Sequence, residues 1–223
     1  QTRTVYWVML VASIAGGLTC ATLMKHGKEE RIHVTALTLI AIGAYMDSRA
    51  TSITRPEQVF YSQALIAFAG ALILPPAMKS GLMSALKKGP NYILSFVIVF
   101  LTTQSLGGLL GSAMFTTVVT AREQFHHNVL VEHIALTDPM VAQRVAQLGG
   151  AYSRVITDKA LVNAEGLALL SQQATREAFV LAYNDAFLLI AVIAVVALAL
   201  LLVHIAIAAV RDRTTSPAIP ANA

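Results

Sequence analysis

The stretch AFLLIAVIAVVALALLLV, residues 186–203, decides the fold because it contains only apolar side chains. A helix needs about 20 largely apolar residues to cross the roughly 30 Å hydrocarbon core of a bilayer. No Asp, Glu, Lys or Arg follows before Arg211, so a span over 186–210 is long enough. The whole chain is 56% hydrophobic and 13% charged, against about 25% charged in soluble domains. This composition argues against a water-soluble enzyme and against a disordered chain.

Segments 4–24, 58–78 and 91–121 are equally free of these charged residues. As a helix, 91–121 would be about 46 Å long, so we expect it to project beyond the bilayer. A fifth segment, 32–46, is shorter, carries His33 near its start and is supported by topology alone. The sequence therefore predicts an all-α membrane protein with about five transmembrane helices. The predicted organisation is four transmembrane helices within 1–121, a helical outer segment at 122–185, the last transmembrane helix at 186–210 and a tail at 211–223.

The distribution of positive charge predicts the orientation. With five spans, the first loop, the third loop and the tail lie on one side, and cytoplasmic sides of membrane proteins are enriched in Lys and Arg. This side is therefore predicted to be cytoplasmic, with the start of the chain outside. The net charge is +4, and the Lys and Arg residues lie in short clusters between apolar runs. A nucleic-acid partner would need the positive charge concentrated on one soluble face, so this arrangement does not indicate one. The predicted cytoplasmic side carries Lys25, Lys28, Arg31, Lys79, Lys87, Lys88, Arg211 and Arg213, and the opposite side carries Arg3, Arg49 and Arg55.

Segment 122–185 contains helix signals. Asp138 and Pro139 are typical of the N-cap and first position of a short helix that would end at Gly149 and Gly150. Ala, Leu, Gln and Glu dominate from Asp158 onward, which predicts a helix that continues into the last span. Two interpretations are open, a structured hairpin between two spans or a docking surface for a partner. One face of the longer helix would carry Leu161, Ala164, Ala168 and Gln172.

The sequence lacks motifs for enzyme chemistry. It contains no P-loop lysine motif, no HExxH and no GxSxG, and Cys20 is its one cysteine. His126, His127 and His133 are close in sequence, but only Glu123 and His127 have the i, i+4 spacing that suits a metal site. We interpret these histidines as structural or surface residues, with a metal site as the alternative. No enzymatic activity, no metal and no cofactor are expected.

Small residues recur at a spacing of four in two predicted spans, which lets helices approach closely in lipid. The pattern indicates either static helix packing or backbones that slide and rock. Pro75 and Pro76 interrupt the predicted span 58–78 near its inner end, where they would form a gate or a static kink. The small residues are Gly107, Gly108, Gly111 and Ser112 in 91–121, and Ala12, Gly16 and Cys20 in 4–24.

Polar side chains inside a bilayer are costly and are expected to face a protein interior or a water-filled cavity. Gln104 lies near the middle of 91–121, and Tyr61 and Gln63 lie near the outer end of 58–78. Asp47 and Asp185 lie at the outer boundaries of spans, and no carboxylate lies deep in a span. A proton relay would need such a carboxylate, so this stretch is expected to lack the main proton-carrying site.

Two long stretches resemble a known transporter family. SLGGLLGSAMFTTVVTAREQFHHNVLVEHI, residues 105–134, resembles the penultimate helix and following outer loop of fourteen-helix drug:proton antiporters of the EmrB/QacA type, in the major facilitator superfamily. QATREAFVLAYNDAFLLIAVIAVVALALLL, residues 173–202, resembles the last helix of that family, including its entry at Tyr183, Asn184 and Asp185. The stretch LMKHGKEERIHV, with Lys25, Lys28 and Arg31, looks like a short basic cytoplasmic loop of the C-terminal half.

The resemblance implies that the chain corresponds to the last five of fourteen helices, as part of the C-terminal bundle. Gln1 in place of Met agrees with that expectation. It also implies a multi-pass protein of the bacterial inner membrane that exports toxic amphipathic compounds or drugs by alternating access, driven by proton influx. The family's proton-carrying carboxylates lie mainly in the N-terminal half, so none is transferred to this chain. Gln104 departs from the family, because many relatives have an arginine there.

Partners follow from the same resemblance. Gram-negative members of the family work with a periplasmic adaptor protein and an outer-membrane channel, for which a periplasmic segment 122–185 would be a natural docking place. The amphipathic substrate would occupy an apolar, aromatic cavity with few polar anchors, and Gln104, Gln63 and Tyr61 are the candidates. The alternative hypothesis is a non-transporting multi-pass membrane scaffold that binds a periplasmic partner.

Overall fold

The structure, a computed structural model, describes residues 2–25, 29–132, 134, 137–155 and 157–215. Within these ranges the chain is helical and forms no strand, which confirms the predicted all-α class. The helices are α1 (Thr2–Met24), α2 (Glu29–Asp47), α3 (Phe60–Lys88), α4 (Asn91–Glu132), α5 (Pro139–Gly150) and α6 (Lys159–Thr215), with a 3-10 turn at Pro56–Val59 before α3.

Four helical segments are long and apolar enough to cross a membrane, which is compatible with a multi-pass membrane protein. α2 covers the predicted segment 32–46, but it begins with Glu29 and Glu30 and is not one of the four. A fifth crossing therefore remains a prediction. α4 has 42 residues and α6 has 57, so at 1.5 Å per residue they are about 63 Å and 86 Å long and must extend beyond a bilayer. The four segments are Arg3–Met24, Pro56–Lys88, Asn91–Glu132 and Lys159–Arg211.

The described chain divides into two compact units. The first contains α1, α2 and α3 with the beginning of α4 and the later part of α6. The second contains the remaining part of α4, α5 and the beginning of α6. The first unit comprises the described parts of Gln1–Asp47, Arg55–Leu106 and Leu188–Ala223, and the second those of Ser48–Thr54 and Gly107–Phe187.

Glycines allow close helix contacts in the first unit. A Cβ on Gly16 of α1 would lie 2.4 Å from the carbonyl oxygen of Phe68 in α3. A Cβ on Gly43 of α2 would lie 2.8 Å from Cγ1 of Ile66, also in α3. Larger residues would force the helices apart. The absence of a side chain at Gly16 and Gly43 therefore allows α1 and α2 to pack closely against α3. The buried cluster formed by these three helices is Cys20, Ile32, Ala36 and Leu72.

Pro75 and Pro76 lie inside α3, which continues without a break to Lys88. α3 thus contains both prolines, and their role as a gate or a static kink stays a prediction. Pro76 has no N–H to donate to the carbonyl of Leu72, one turn earlier. Cys20 of α1 compensates, because its Sγ lies 3.8 Å from the Leu72 oxygen and can donate a weak hydrogen bond. Leu72, Pro76 and Cys20 are fully buried, so α1 covers the point where α3 lacks its own donor.

The second unit begins its helices where the sequence predicts. Asp138 caps α5, since its Oδ1 accepts a hydrogen bond from the Met140 backbone N–H at 2.8 Å, and α5 ends at Gly150. Asp158 caps α6 in the same way, with the Ala160 N–H 2.8 Å from its Oδ1. From there α6 runs unbroken into the apolar stretch quoted above. The helical character of this segment is observed, and its periplasmic location remains a prediction.

α4 and α6 pack side by side in the second unit. Val119 of α4 and Ala182 and Ala186 of α6 form a buried cluster. The Phe115 ring lies beside it, with its centroid 6.2 Å from that of Tyr183. Small side chains on α6 thus let α4 approach, and aromatic rings fill the remaining space.

α5 crosses α6 at another pair of glycines. A Cβ on Gly149 would lie 2.4 Å from the Val162 carbonyl oxygen, and one on Gly166 would lie 2.3 Å from that of Val145. Each helix therefore presents a glycine to the backbone of the other. This reciprocal contact holds the short α5 against the much longer α6.

Candidate functional site

Asp47, Ser62 and Gln63, named the Asp47 site, join the end of α2 to the start of α3. Ser62 Oγ lies within hydrogen-bond distance of Asp47 Oδ1, and Gln63 Nε2 donates to Asp47 Oδ2 at 2.6 Å. Gly43 explains the geometry, since it lies one turn before Asp47 and brings α2 against the Ser62 backbone. The Asp47 side chain therefore enters the helix interface, where it is only 5% exposed.

Electrostatics make the Asp47 carboxyl unusual. Burial raises its pKa above the ordinary aspartate value, while the hydrogen bonds from Ser62 and Gln63 act in the opposite direction and do not cancel the effect. The ion pairs of the described residues join Lys79 to Glu29, and Arg122 and His126 to Asp185. None of them includes Asp47. A buried carboxylate without a cation in contact is costly, which is the physical cause of the raised pKa.

Arg122, His126 and Asp185, named the Asp185 cluster, join α4 to α6 in the second unit. Arg122 Nε donates to Asp185 Oδ2 at 2.6 Å, and His126 Nε2 lies 2.7 Å from the same oxygen. Arg122 and His126 are one turn apart on α4, so they share a face. The Arg122 guanidinium also lies 4.8 Å from the centre of the Phe125 ring. The cluster clamps two long helices with a charged, partly exposed contact.

Of the other two clustered histidines, the structure describes only His127. His127 Nδ1 lies 3.5 Å from Thr175 Oγ1 of α6, and His133 lies outside the described residues. The alternative hypothesis was a metal site at Glu123 and His127. In the described part of the chain no group of three or more candidate metal ligands occurs, so this pair has no third ligand there.

The three predicted substrate residues occupy different environments. Gln63 belongs to the Asp47 site, whereas its neighbour Tyr61 is 76% exposed. Gln104 is exposed on α4. The next turns of α4 have open space where a side chain would project, at Gly107, Gly108 and Gly111. A shared cavity for Gln104, Gln63 and Tyr61 is therefore not seen among the described residues, and their role stays a prediction.

The predicted entry to the last helix makes three separate contacts. Tyr183 packs against Phe115, and Asp185 belongs to the cluster described above. Asn184 Nδ2 donates to the backbone oxygen of Ala50 at 2.7 Å. This segment is thus a packing junction of the second unit.

The predicted basic loop is organised by a residue whose role the sequence does not reveal. Lys79 Nζ lies 2.9 Å from Glu29 Oε1 and donates to the Met24 carbonyl at 3.2 Å. It therefore ties α3 to the end of α1 and the start of α2. Lys25 and Arg31 are exposed, and Lys28 lies outside the described residues.

Sequence reasoning placed Asp47 and Asp185 at span boundaries but did not find their partners. The signal for the Asp185 cluster was present, because Arg122 and His126 have the i, i+4 spacing of one helix face. Gly43 and Asp47 have the same spacing, which puts a close approach next to a carboxylate. The spacing does not show which helix packs against each of these faces.

Comparison of the chain with models of protein families, with curated proteins and with solved structures gave no match. The resemblance to the EmrB/QacA type therefore rests on the quoted stretches of sequence alone.

Proposed function

We propose that this chain forms the C-terminal membrane portion of a proton-coupled exporter of the EmrB/QacA type, which removes toxic amphipathic compounds or drugs. The observation that carries the proposal is the glycine run 105–112 followed, in the last long helix, by the Tyr183-Asn184-Asp185 entry. Both occur in a chain whose long helices are apolar enough to cross a membrane. Transport by alternating access needs helices of this kind, because two bundles must move against each other around a central site.

The exposed face of α4 supports this proposal. Gln104 lies in an apolar helix, and a polar side chain facing lipid would be costly. Gly107 and Gly111 on the same helix leave room for another backbone. We infer that helices of the other bundle cover this face in the complete transporter. Gln104 would then be a polar anchor for substrate in the cavity between bundles.

The proposed localisation is the bacterial inner membrane, with the C-terminus in the cytoplasm. Lys79, Lys87 and Lys88 at the end of α3 favour a cytoplasmic position for that helix end. Asp47 and Asp185 would then lie toward the periplasm, on the side from which protons enter.

The alternative function is a non-transporting scaffold that binds a periplasmic partner. A surface for such a partner is a cavity of about 510 Å³ in the second unit, between the end of α4 and the first part of α6. An exporter could use the same surface for an adaptor protein, so the cavity does not separate the two hypotheses. Its largely apolar lining includes Val131, Ile134, Leu167 and Leu170.

Drug susceptibility tests the exporter. A strain that lacks its own exporters and expresses the full gene should tolerate higher concentrations of amphipathic compounds, and a protonophore should abolish the gain. Gln104→Leu should lower resistance, while Gln124→Leu, at an exposed position of the same helix beyond the predicted span, serves as the matched control. Resistance that survives the protonophore would contradict proton coupling. Absence of any resistance, together with capture of a periplasmic protein by the intact chain, would favour the scaffold.

A further inference from the structure

The hydrogen atoms at the Asp47 site can be counted. Ser62 Oγ is within hydrogen-bond distance of two acceptors, Asp47 Oδ1 and the Val59 carbonyl oxygen, the latter at 2.9 Å. A serine hydroxyl carries one hydrogen and can satisfy only one of them. If Ser62 donates to Val59, an ionised Asp47 Oδ1 would face a lone pair of Ser62 Oγ.

A proton on Asp47 completes the arrangement. Asp47 Oδ1–H then donates to Ser62 Oγ, Ser62 donates to the Val59 carbonyl, and Gln63 Nε2 donates to Asp47 Oδ2. Each of the three contacts then has one hydrogen. With an ionised Asp47, Ser62 would donate to Oδ1 and its contact with the Val59 oxygen would have no hydrogen, so the neutral acid is the form that matches all three contacts.

The direct contacts of the Asp47 carboxyl agree with the neutral form. The hydrogen-bond partners of the Asp47 carboxyl in the described chain are Ser62 and Gln63, which carry no charge. The ion pairs of the described residues involve other groups. Burial also raises the pKa of this carboxyl. The ionisable groups on adjoining segments are Arg3 and Tyr6 of α1, Tyr45 of α2, Arg49 and Arg55 of the following turn, Glu57 of the 3-10 helix and Tyr61 of α3.

We propose that Asp47, Ser62 and Gln63 form a proton-binding site whose occupancy depends on the packing of α2 against α3. With the helices closed, Asp47 holds its proton as a carboxylic acid between two neutral partners. When the helices separate by even a small distance at Gly43, water reaches the carboxyl and the proton leaves to solvent, which produces a carboxylate. This proposal adds a specific proton-binding residue at a helix end, and the expectation that the main proton-carrying site lies outside this stretch stays a prediction.

The consequence for transport rests on the proposed function. In a proton-coupled exporter, a carboxyl that is protonated in one helix arrangement and ionised in another contributes to coupling. The site would bind a proton when α2 and α3 are closed and release it when they part. The binding of the proton itself rests only on the contacts of Asp47.

Infrared spectroscopy of the purified full chain in lipid nanodiscs tests the protonation directly. In a titration upward from the ordinary aspartate pKa of about 3.9, the C=O stretch of one protonated carboxylic acid should persist to higher pH than that of a free aspartate and should shift in D₂O. Asp47→Asn should remove this band, and Asp185→Asn, which alters a carboxylate held by Arg122 and His126, should retain it. Wild-type and Asp47→Asn spectra that superimpose would overturn the proposal.

Asp47→Asn removes the titratable group without removing its hydrogen bonds, since the amide reproduces the donor and acceptor pattern of the neutral acid. Its Nδ2 can donate to Ser62 Oγ while its Oδ1 accepts from Gln63. It should fold, and its thermal midpoint should lack the part of the pH dependence that comes from Asp47. The wild-type midpoint should fall as the pH rises through the raised pKa of Asp47, because the folded state then loses a proton that the unfolded chain has already lost. A wild-type pH profile equal to that of the variant would contradict the site.

A transport assay distinguishes failure of the proton site from failure of the proposed function. Proton-driven efflux from proteoliposomes should lose part of its pH dependence in Asp47→Asn. If the infrared band is present but no efflux occurs in any variant, the proton site stands and the proposed function fails. If efflux occurs and no band depends on Asp47, the function stands and the proton site fails.

Discussion

α1 and α4 both carry small residues four apart, yet the structure uses the two stripes differently. On α1, Gly16 meets the Phe68 backbone of α3 so closely that a Cβ would lie 2.4 Å from its oxygen. On α4, Gly107 and Gly111 have no atom within 4 Å of such a Cβ among the described residues. The same spacing therefore marks a close helix contact in one region and an uncovered surface in the other.

The difference teaches what a small-residue motif can specify. It creates a groove that another backbone can enter, because no side chain fills it. It does not identify the helix that enters. In α1 the partner is α3, whereas we infer that the partner of α4 belongs to another part of the proposed transporter. Glycine-to-alanine substitutions place a methyl group in each groove, and their effects on stability show how the two grooves differ.

The largest effect is expected at Gly16. In Gly16→Ala the new methyl group would overlap the Phe68 oxygen, and backbone cannot move aside as a flexible side chain can. We expect the free energy of unfolding to fall by about 3 kcal/mol, the upper part of the range for overpacked cores. The measurement is the thermal midpoint of the purified chain in detergent. Gly17→Ala is the matched control, since Gly17 has no neighbour within 4 Å, and equal loss in both variants would refute a contact specific to Gly16.

Gly43 should show a smaller effect. A methyl group there would lie 2.8 Å from Ile66 Cγ1 and 3.0 Å from the Ser62 oxygen. Because the Ile66 side chain can shift, we expect Gly43→Ala to lower the free energy of unfolding by about 1–2 kcal/mol. Gly70→Ala, in an open position of α3, is the control for helix propensity in the same thermal assay. A midpoint of Gly43→Ala at or above that of the control would show that α2 does not pack this closely.

The helices themselves were predictable, and their pairing was not. Runs without charge located the long helices, and Asp138 with Pro139 located the start of α5, because these are local properties of the chain. The predicted span ended at residue 121, whereas α4 continues to Glu132 through Arg122 and Glu123. Outside a bilayer a helix tolerates charge, so a hydropathy boundary is not a helix boundary.

The candidate site was less predictable for a physical reason. Asp47 was recognised as a boundary carboxylate, but its partner Ser62 lies on another helix. Their meeting depends on the rotation and register of α2 against α3, which packing at Gly43 determines. The contact beside Pro76 was unpredictable for the same reason, since the donor to the Leu72 carbonyl is a cysteine on another helix, α1.

Cys20 gives the next effect in order of size. Cys20→Ala removes the weak donor to the Leu72 carbonyl and should lower the free energy of unfolding by about 1 kcal/mol. Cys20→Ser restores a donor of similar size, so its thermal midpoint should lie closer to that of the wild type. If alanine and serine variants unfold at the same temperature, the sulfur is only a space-filling group and the compensation for Pro76 comes from elsewhere.

Gly107 should show the smallest effect on the chain, and of opposite sign. In Gly107→Ala the methyl group meets open space, and alanine is the better helix former, so stability should rise by up to about 1 kcal/mol. The same substitution in the complete exporter should reduce drug resistance, because another backbone would then be kept out of the groove. A thermal assay on this chain and a susceptibility assay on the full gene measure these two outcomes separately. Raised stability with unchanged resistance would mean that the α4 groove faces lipid, and loss of stability in the chain would mean that one of its own helices fills the groove.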